Sequence, residues 1–197
     1  LKNTGSVDGM KLGIAAANTE TVGGYEKQVR ITELTFDGSN LLEGGAGATI
    51  PEYEAPTNCN VTVSGTQISA AVSAATAGDV ICVAPGTYTS AWEGNIPRIT
   101  VNKAVTIVST QGPTNTKSIG FNVTADDVTI KGFDINTTEV VGFQVTDADG
   151  VTVEHNTFNN FGSAAGTVNT HAVYLVNGSS NAVVRSNMFN GVRADSK

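Results

Sequence analysis

A four-residue motif recurs five times along the chain: Val80-Ile81-Cys82-Val83, Val105-Thr106-Ile107-Val108, Val128-Thr129-Ile130-Lys131, Val151-Thr152-Val153-Glu154 and Ala182-Val183-Val184-Arg185. The motif is rich in Val, Ile and Thr with a period of two, which is typical of a β-strand. The first residues of successive copies are 25, 23, 23 and 31 positions apart. A repeat of about 20–30 residues with one short strand per copy is typical of a solenoid.

Other positions repeat in step with these strands. They form columns of one chemical kind: hydroxyls at Thr106, Thr129 and Thr152, charges at Lys131, Glu154 and Arg185, amides at Asn156 and Asn187, and large apolar groups at Ile135, Phe158 and Phe189. Strands of one sheet lie about 4.8 Å apart, so the alternating charges would attract each other across neighbouring repeats. We therefore predict an all-β fold, a right-handed parallel β-helix of about five coils.

Composition and charge exclude some classes of function. The chain has 197 residues and a net charge of −7, and its 11 Lys and Arg residues are scattered. No basic stripe is present to meet phosphates, so we expect no nucleic-acid partner. No run of 18 apolar residues occurs, so we expect no membrane span. The chain starts at Leu1 without a signal-peptide pattern, as a processed or trimmed protein would.

Residues 1–57 lie outside the repeat and form a segment that we call the N-terminal arm. Val29 and Ile31, then Leu34 and Phe36, alternate with a phase slip between them, which indicates a bulge or two short strands. A Gly- and Pro-containing linker follows. Three placements are open: the arm folds back on the side of its own solenoid, adds to an open sheet edge of a neighbouring subunit, or forms a small separate domain. The solenoid itself is predicted for residues 58–197.

The solenoid begins with a strand at residues 60–63 and an amphipathic helix. Ile68, Ala71, Val72 and Ala75 fall on one helical face, and Gly78 ends the helix. A helix with this apolar face would cover the hydrophobic end of the first coil. We therefore predict an N-terminal capping helix.

The entry into the solenoid also carries a family resemblance. It reads Thr66-Gln67-Ile68-Ser69-Ala70-Ala71-Val72, then Ala77-Gly78-Asp79-Val80-Ile81-Cys82-Val83-Ala84-Pro85-Gly86-Thr87-Tyr88. These residues resemble the entry segment of the pectate-lyase-like parallel β-helix superfamily, and the resemblance covers residues 59–190. It implies the fold but little about activity, because lyases, hydrolases, adhesins, phage spikes and surface proteins share this architecture.

Cys59 and Cys82 are the two cysteines of the chain. If the entry strand pairs with the first coil, they come close enough to bond. We expect a disulfide, which would form in an oxidising compartment. Two buried free thiols are the alternative.

The polysaccharide lyase activity common in the superfamily needs a Lys or Arg base beside groups that neutralise a uronate carboxylate, often bound Ca²⁺. Asp126 and Asp149 are one repeat apart and should stack, with Asp127 and Asp147 nearby. Such a column either attracts Ca²⁺ or forms solvated turns, and Lys103, one repeat before Asp126, could neutralise it instead. Ca²⁺ is accordingly a candidate cofactor, and no other cofactor is expected.

No catalytic residue is assigned. Lys131, Glu154 and Arg185 could act as acid and base groups, but their spacing favours a charge ladder on a sheet face. His155 could transfer a proton, yet its position at a bend favours a hydrogen-bonded turn histidine.

Four Asn-x-Ser/Thr sequons permit glycosylation without establishing it: Asn60, Asn122, Asn136 and Asn177.

Eight residues, Asn190 to Lys197, follow Phe189, and they hold no amphipathic cap. We expect the last repeat to end in bare strand edges that invite another copy. The sequence thus predicts a secreted or cell-surface structural protein whose subunits join head to tail, with the arm of one completing the next. The alternatives are a polysaccharide lyase or other carbohydrate-active β-helix enzyme, and a carbohydrate-binding adhesin. The expected partners are copies of the chain and, in the alternatives, carbohydrate.

Overall fold

A computed structural model describes residues 14–16, 29–31, 34–36, 52–64, 67–88, 98–136, 141–159 and 171–190, with the backbone alone at 14–16, 29–31, 34–36, 136 and 190. The chain is mostly β with little helix. The elements are β1 Ile14–Ala16, β2 Val29–Ile31, β3 Leu34–Phe36, β4 Val61–Val63, α1 Ile68–Ala74, β5 Val80–Val83, β6 Gly86–Tyr88, β7 Arg98–Val101, β8 Thr106–Ser109, β9 Thr116–Ser118, β10 Gly120–Val123, β11 Thr129–Lys131, β12 Asp134–Asn136, β13 Val141–Thr146, β14 Thr152–Glu154, β15 Thr157–Asn159, β16 His171–Val176, β17 Ala182–Arg185 and β18 Asn187–Asn190.

The strands form three parallel sheets that the chain visits in turn. Sheet A has the order β1-β16-β13-β10-β7, sheet B the order β2-β17-β14-β11-β8-β5-β4, and sheet C the order β3-β18-β15-β12-β9-β6. Because β7, β8 and β9 lie in sheets A, B and C, and the next triplets repeat this order, the backbone winds as a parallel solenoid. The predicted all-β solenoid is confirmed at this level; its handedness, its number of coils and the capping role of the helix stay predictions.

The register of sheet B follows the repeat, with one correction. Ile107, Ile130, Val153 and Val184 stack as the columns predict. The predicted first step of 25 residues is wrong, because Val80 pairs with Thr106, a step of 26. A slip of one residue would move every side chain of β5 to the opposite face of the sheet, so the step is fixed by which side chains enter the core.

The interior is filled by stacked apolar side chains. Phe121 and Phe143 are stacked with ring centroids 5.2 Å apart, and Phe158 and Phe189 with centroids 4.9 Å apart. Helix α1 packs against β4, β5 and β7 and adds Ile68, Ala71 and Val72 to the same core.

The N-terminal arm contributes strands to the solenoid. Its phase slip separates two short strands, β2 and β3, which lie in different sheets. Strands β1, β2 and β3 pair in parallel with β16, β17 and β18, which we call the last coil. The expectation of bare strand edges on the last coil is therefore wrong, since arm strands of the same chain cover it in all three sheets.

Candidate assembly interface

The strands that cover the last coil come from the N-terminal arm, a segment that is remote from β16–β18 in sequence. Ala15 aligns with Tyr174 in sheet A, and Arg30 aligns with Val183 in sheet B. In sheet C, β3 aligns with β18 over three residue pairs. Without the arm strands, the outer edges of β16, β17 and β18 would present unpaired N–H and C=O groups, which are templates for another chain. The arm strands thus complete an edge that any copy of the chain also carries.

The opposite end of sheet B is formed by β4. This strand pairs on one side with β5 and is the outermost strand of the sheet in the described part of the chain. Val61 on β4 is 40% exposed, a large apolar side chain at the end of the sheet. Since all strands of sheet B are parallel, β4 at one end and β2 at the other have the same direction.

Residues 52–60, which we call the strap, run along the outside of the solenoid. At one end of the strap, a disulfide joins Cys59 to Cys82 on β5, as the sequence predicted. Asn60 and Val80 exchange two hydrogen bonds of 2.9 Å: the Asn60 N–H donates to the Val80 carbonyl, and the Val80 N–H donates to the Asn60 side-chain oxygen. At the other end, Tyr53 contacts turns that follow β8, β11 and β14. The strap therefore leads from the later coils back to the first.

Tyr53 occupies a site on these turns that we call the socket: Ser109, Gly112, Gly132 and His155. Its hydroxyl donates a hydrogen bond to the Ser109 carbonyl. A Cβ on Gly132 would lie 2.5 Å from the Tyr53 ring, and one on Gly112 would lie 2.9 Å from it, so only glycine leaves room for the ring. The His155 ring meets Tyr53 edge-on, with centroids 6.0 Å apart.

Charge also surrounds the socket. The Lys131 ammonium lies 5.4 Å from the centre of the Tyr53 ring, within cation–π range. Burial, followed by the negative charge of Glu154, raises the pKa of Tyr53 to about 12, against the lowering effect of its hydrogen bond to Ser109. The phenol is therefore a neutral hydrogen-bond donor at physiological pH.

The three charged residues of sheet B form the predicted ladder. Glu154 is 8% exposed and lies between two cations, with Oε2 2.6 Å from the Arg185 Nε and Oε1 3.7 Å from the Lys131 Nζ. Each carboxylate oxygen thus forms an ion pair with a cation on a neighbouring strand of sheet B. This arrangement cross-links three coils.

The four aspartates of the candidate calcium site are exposed, and three of them, Asp126, Asp147 and Asp149, accept hydrogen bonds in turns. Asp126 accepts the Asp149 N–H at 2.8 Å, and Asp147 accepts the Gly178 N–H at 2.9 Å. The pKa of Asp149 is lowered, first by the Ser180 hydroxyl and then by the Asn181 amide. Within the described ranges, no group of three or more His, Cys, Asp or Glu side chains could hold a metal ion. Calcium binding by Asp126, Asp127, Asp147 and Asp149 stays a prediction.

The sequons differ in environment. Asn177 is exposed in a turn, whereas the exposed Asn60 binds Val80 and Asn122 is half-buried. Asn136 ends β12, and its side chain lies outside the described residues. Glycosylation stays a prediction at all four.

A polar strip on the outer face of sheet A is absent from the sequence predictions. Arg98, only 7% exposed, donates from Nη1 to the Gln144 side chain, and burial lowers its pKa. The pairing partner of Arg98 is Gly120, where a Cβ would collide with the Gly142 carbonyl. Arg98 Nε and Asn122 Oδ1 are buried without a hydrogen-bond partner. The signal in the sequence was the aligned triplets Arg98-x-Thr100, Gly120-x-Asn122 and Gly142-x-Gln144.

No family model matches the chain, no curated protein matches it, and no solved structure matches it. Within the described residues, no helix is both long enough and apolar enough to cross a membrane.

Proposed function

We propose that the chain is a structural β-helix protein of the cell surface or extracellular space whose subunits join head to tail. In this proposal it is a right-handed solenoid of about five coils that resembles the pectate-lyase-like superfamily, with α1 capping its first end. The arm strands of one subunit complete the last coil of the next. The observation that carries the proposal is the strand-by-strand pairing of β1–β3 with β16–β18 by a segment remote in sequence.

Exchange of the arm between copies follows from this pairing. Every backbone hydrogen bond that β1–β3 form with β16–β18 in one chain is equally available between two chains, so exchange has a low cost in free energy. Residues 37–58 connect β3 to the disulfide-bonded Cys59 and could reach up to about 75 Å when extended. A contact between unlike ends of identical subunits continues into a filament unless the rotation closes a ring.

Two further features support an extracellular location and head-to-tail assembly. A disulfide such as Cys59–Cys82 persists in oxidising environments, which favours a secreted or surface protein. The exposed Val61 and the outer edge of β4 offer an apolar strand edge at the end that would meet the next subunit.

Cysteine cross-linking across the arm pairing tests the proposal. Arg30 and Val183 are register partners, so we prepare the single variants Arg30→Cys and Val183→Cys and mix them under mild oxidation. Only pairing between chains can then link the two variants, and we expect covalent dimers on non-reducing gels. Arg30→Cys mixed with Asp147→Cys, an exposed position outside this register, is the matched control and should give none.

The double variant Arg30→Cys/Val183→Cys extends this test. Exchange predicts a ladder of covalent oligomers and filaments by negative-stain microscopy. Intramolecular cross-links alone, with a monomer at high concentration by size exclusion, would contradict head-to-tail assembly.

A second candidate function is carbohydrate binding or polysaccharide lyase activity on the outer face of sheet A. The half-buried side chains of Thr100, Asn122 and Gln144 favour it, since polar groups on an outer sheet face can hydrogen-bond to a polyhydroxylated ligand. An ultraviolet assay for unsaturated uronate products from pectin, alginate and chondroitin, with and without Ca²⁺, tests the lyase. Product formation that is lost in Arg98→Ala would support the enzyme, and no product from any substrate would contradict it.

A further inference from the structure

We propose that the Tyr53 socket selects the partner of the N-terminal arm: with Tyr53 seated, β1–β3 pair with the last coil of the same chain, and with Tyr53 released they pair with the last coil of a second copy. This inference rests on the proposed function, because it assumes that the arm can exchange. It adds a site on the solenoid wall that controls the exchange.

The strap is held at two levels of the solenoid. Cys59 is bonded to Cys82 on β5, near the first end, while the Tyr53 ring contacts His155, which follows β14. β5 and β14 are three strand spacings apart in sheet B, about 14 Å at about 4.8 Å per spacing. Tyr53 also contacts Ser109 at the end of β8 and Gly132 after β11, so its side chain is centred near β11, two of the four strand spacings between β5 and β17. With Tyr53 seated, the strap therefore carries the chain part of the way towards its own last coil.

Release of Tyr53 would change the site on the solenoid to which strands β1–β3 are tethered, from the socket to the disulfide. With Tyr53 seated, residues 37–52 connect the socket to β3; with Tyr53 released, residues 37–58 connect the disulfide to β3. A shorter connection anchored near its target gives a higher effective concentration for pairing within the chain. The disulfide, by contrast, lies on β5 at the end of the solenoid formed by β4. In a head-to-tail filament, this end faces the last coil of the neighbouring subunit. Release would thus favour the neighbour.

The socket is shaped for one aromatic side chain. Gly112 and Gly132 have φ of +78° and +83°, in the left-handed region, and no atom at their Cβ positions obstructs the ring. The Ser109 carbonyl accepts the phenolic hydrogen bond, and the Lys131 ammonium lies over the ring. A Cβ at Gly132 would fill the space of the ring without altering any residue of the arm strands or the last coil.

The test measures the partition between the two pairings. In the Arg30→Cys/Val183→Cys background, the ratio of interchain to intrachain cross-links is determined for Tyr53, Tyr53→Phe, Tyr53→Ala and Gly132→Ala. We expect Tyr53→Ala and Gly132→Ala to raise the ratio about tenfold, and Tyr53→Phe to raise it less, because Phe keeps the ring and loses one hydrogen bond. Glu54→Ala, at an exposed position of the strap, is the matched control and should leave the ratio unchanged.

The outcomes separate the two proposals. An unchanged ratio in Tyr53→Ala, with interchain products present in all variants, would overturn the role of the socket and leave assembly standing. Absence of interchain products from every variant would overturn both. Circular dichroism verifies that Gly132→Ala is folded. If Gly132→Ala is not folded, Tyr53→Ala still tests the socket, because it alters no strand.

Discussion

The side chains of Asn156 and Asn187 are hydrogen-bonded to each other inside the solenoid, with Asn156 Nδ2 3.2 Å from Asn187 Oδ1. They are 1% and 0% exposed and lie one coil apart where the chain passes from sheet B to sheet C, Asn156 in the turn before β15 and Asn187 as the first residue of β18. Asn156 Oδ1 also accepts the Phe133 N–H at 3.0 Å, and its Nδ2 donates to the Ile130 carbonyl at 3.1 Å. The amides thus satisfy backbone groups that the bend would otherwise leave unpaired in an apolar interior.

Replacement of Asn156 by Ala should lower the free energy of unfolding by about 3 kcal/mol. The substitution leaves the Phe133 N–H and the Ile130 carbonyl buried without this partner, at about 1–3 kcal/mol for each unsatisfied group. Asn115→Ala is the matched control, because Asn115 is exposed and should change stability by less than about 0.5 kcal/mol. Urea unfolding measures both, and equal effects would contradict a structural role for the buried amide.

The amide column was predictable from sequence because it repeats with the strands, at Asn156 and Asn187. The first step of the repeat was not predictable. All four residues of β5 are apolar, so the segment carries no polar residue to mark which face points outward. Only the stacking of Ile81 on Ile107 in the folded chain fixes the step at 26 residues.

The socket and the destination of the arm were beyond sequence reasoning for a different reason. The alternation of the arm predicted a bulge or two short strands, but apolar alternation does not specify which parallel strand such a segment joins. Gly132 directly follows the third copy of the motif, yet nothing in the repeat indicates that Tyr53, outside the repeat, occupies the space beside it. Long-range pairing of unlike segments leaves no periodic signal.

The stability of the seated strap should depend on pH through Tyr53. A tyrosine in the unfolded chain loses its proton near pH 10, whereas burial raises the pKa of Tyr53 to about 12 in the folded chain. Between these values the folded chain binds more protons than the unfolded chain. The contribution of Tyr53 is therefore complete below about pH 10 and is lost as pH rises towards about 12.

Urea unfolding at several pH values between about 8 and about 11.5 checks this window. The quantity of interest is the difference in unfolding free energy between the wild type and Tyr53→Phe, because Phe does not titrate while all other groups are shared. We expect the difference to shrink above about pH 10. A difference that does not depend on pH would contradict burial of the phenol.

The charge ladder should contribute to stability chiefly through its central carboxylate. Glu154→Gln removes the negative charge from both cations and should cost about 2 kcal/mol, because Glu154 is largely buried. Arg185→Gln should cost less than about 1 kcal/mol, since its side chain is 51% exposed and Lys131 still pairs with Glu154. Urea unfolding at low and high salt measures both; a larger loss for Arg185→Gln than for Glu154→Gln would contradict this order.

The Cys59–Cys82 disulfide should stabilise the first end of the solenoid by about 3 kcal/mol, since it closes a loop with a sequence separation of 23. The double variant Cys59→Ala/Cys82→Ala should therefore unfold at a lower urea concentration than the wild type. The reduced wild type is the control for volume, because Cys82 is fully buried and its replacement by Ala also removes packing. If reduction alone leaves the urea midpoint unchanged while the double variant is destabilised, the loss of stability comes from the lost packing of Cys82. That outcome would contradict stabilisation by the disulfide.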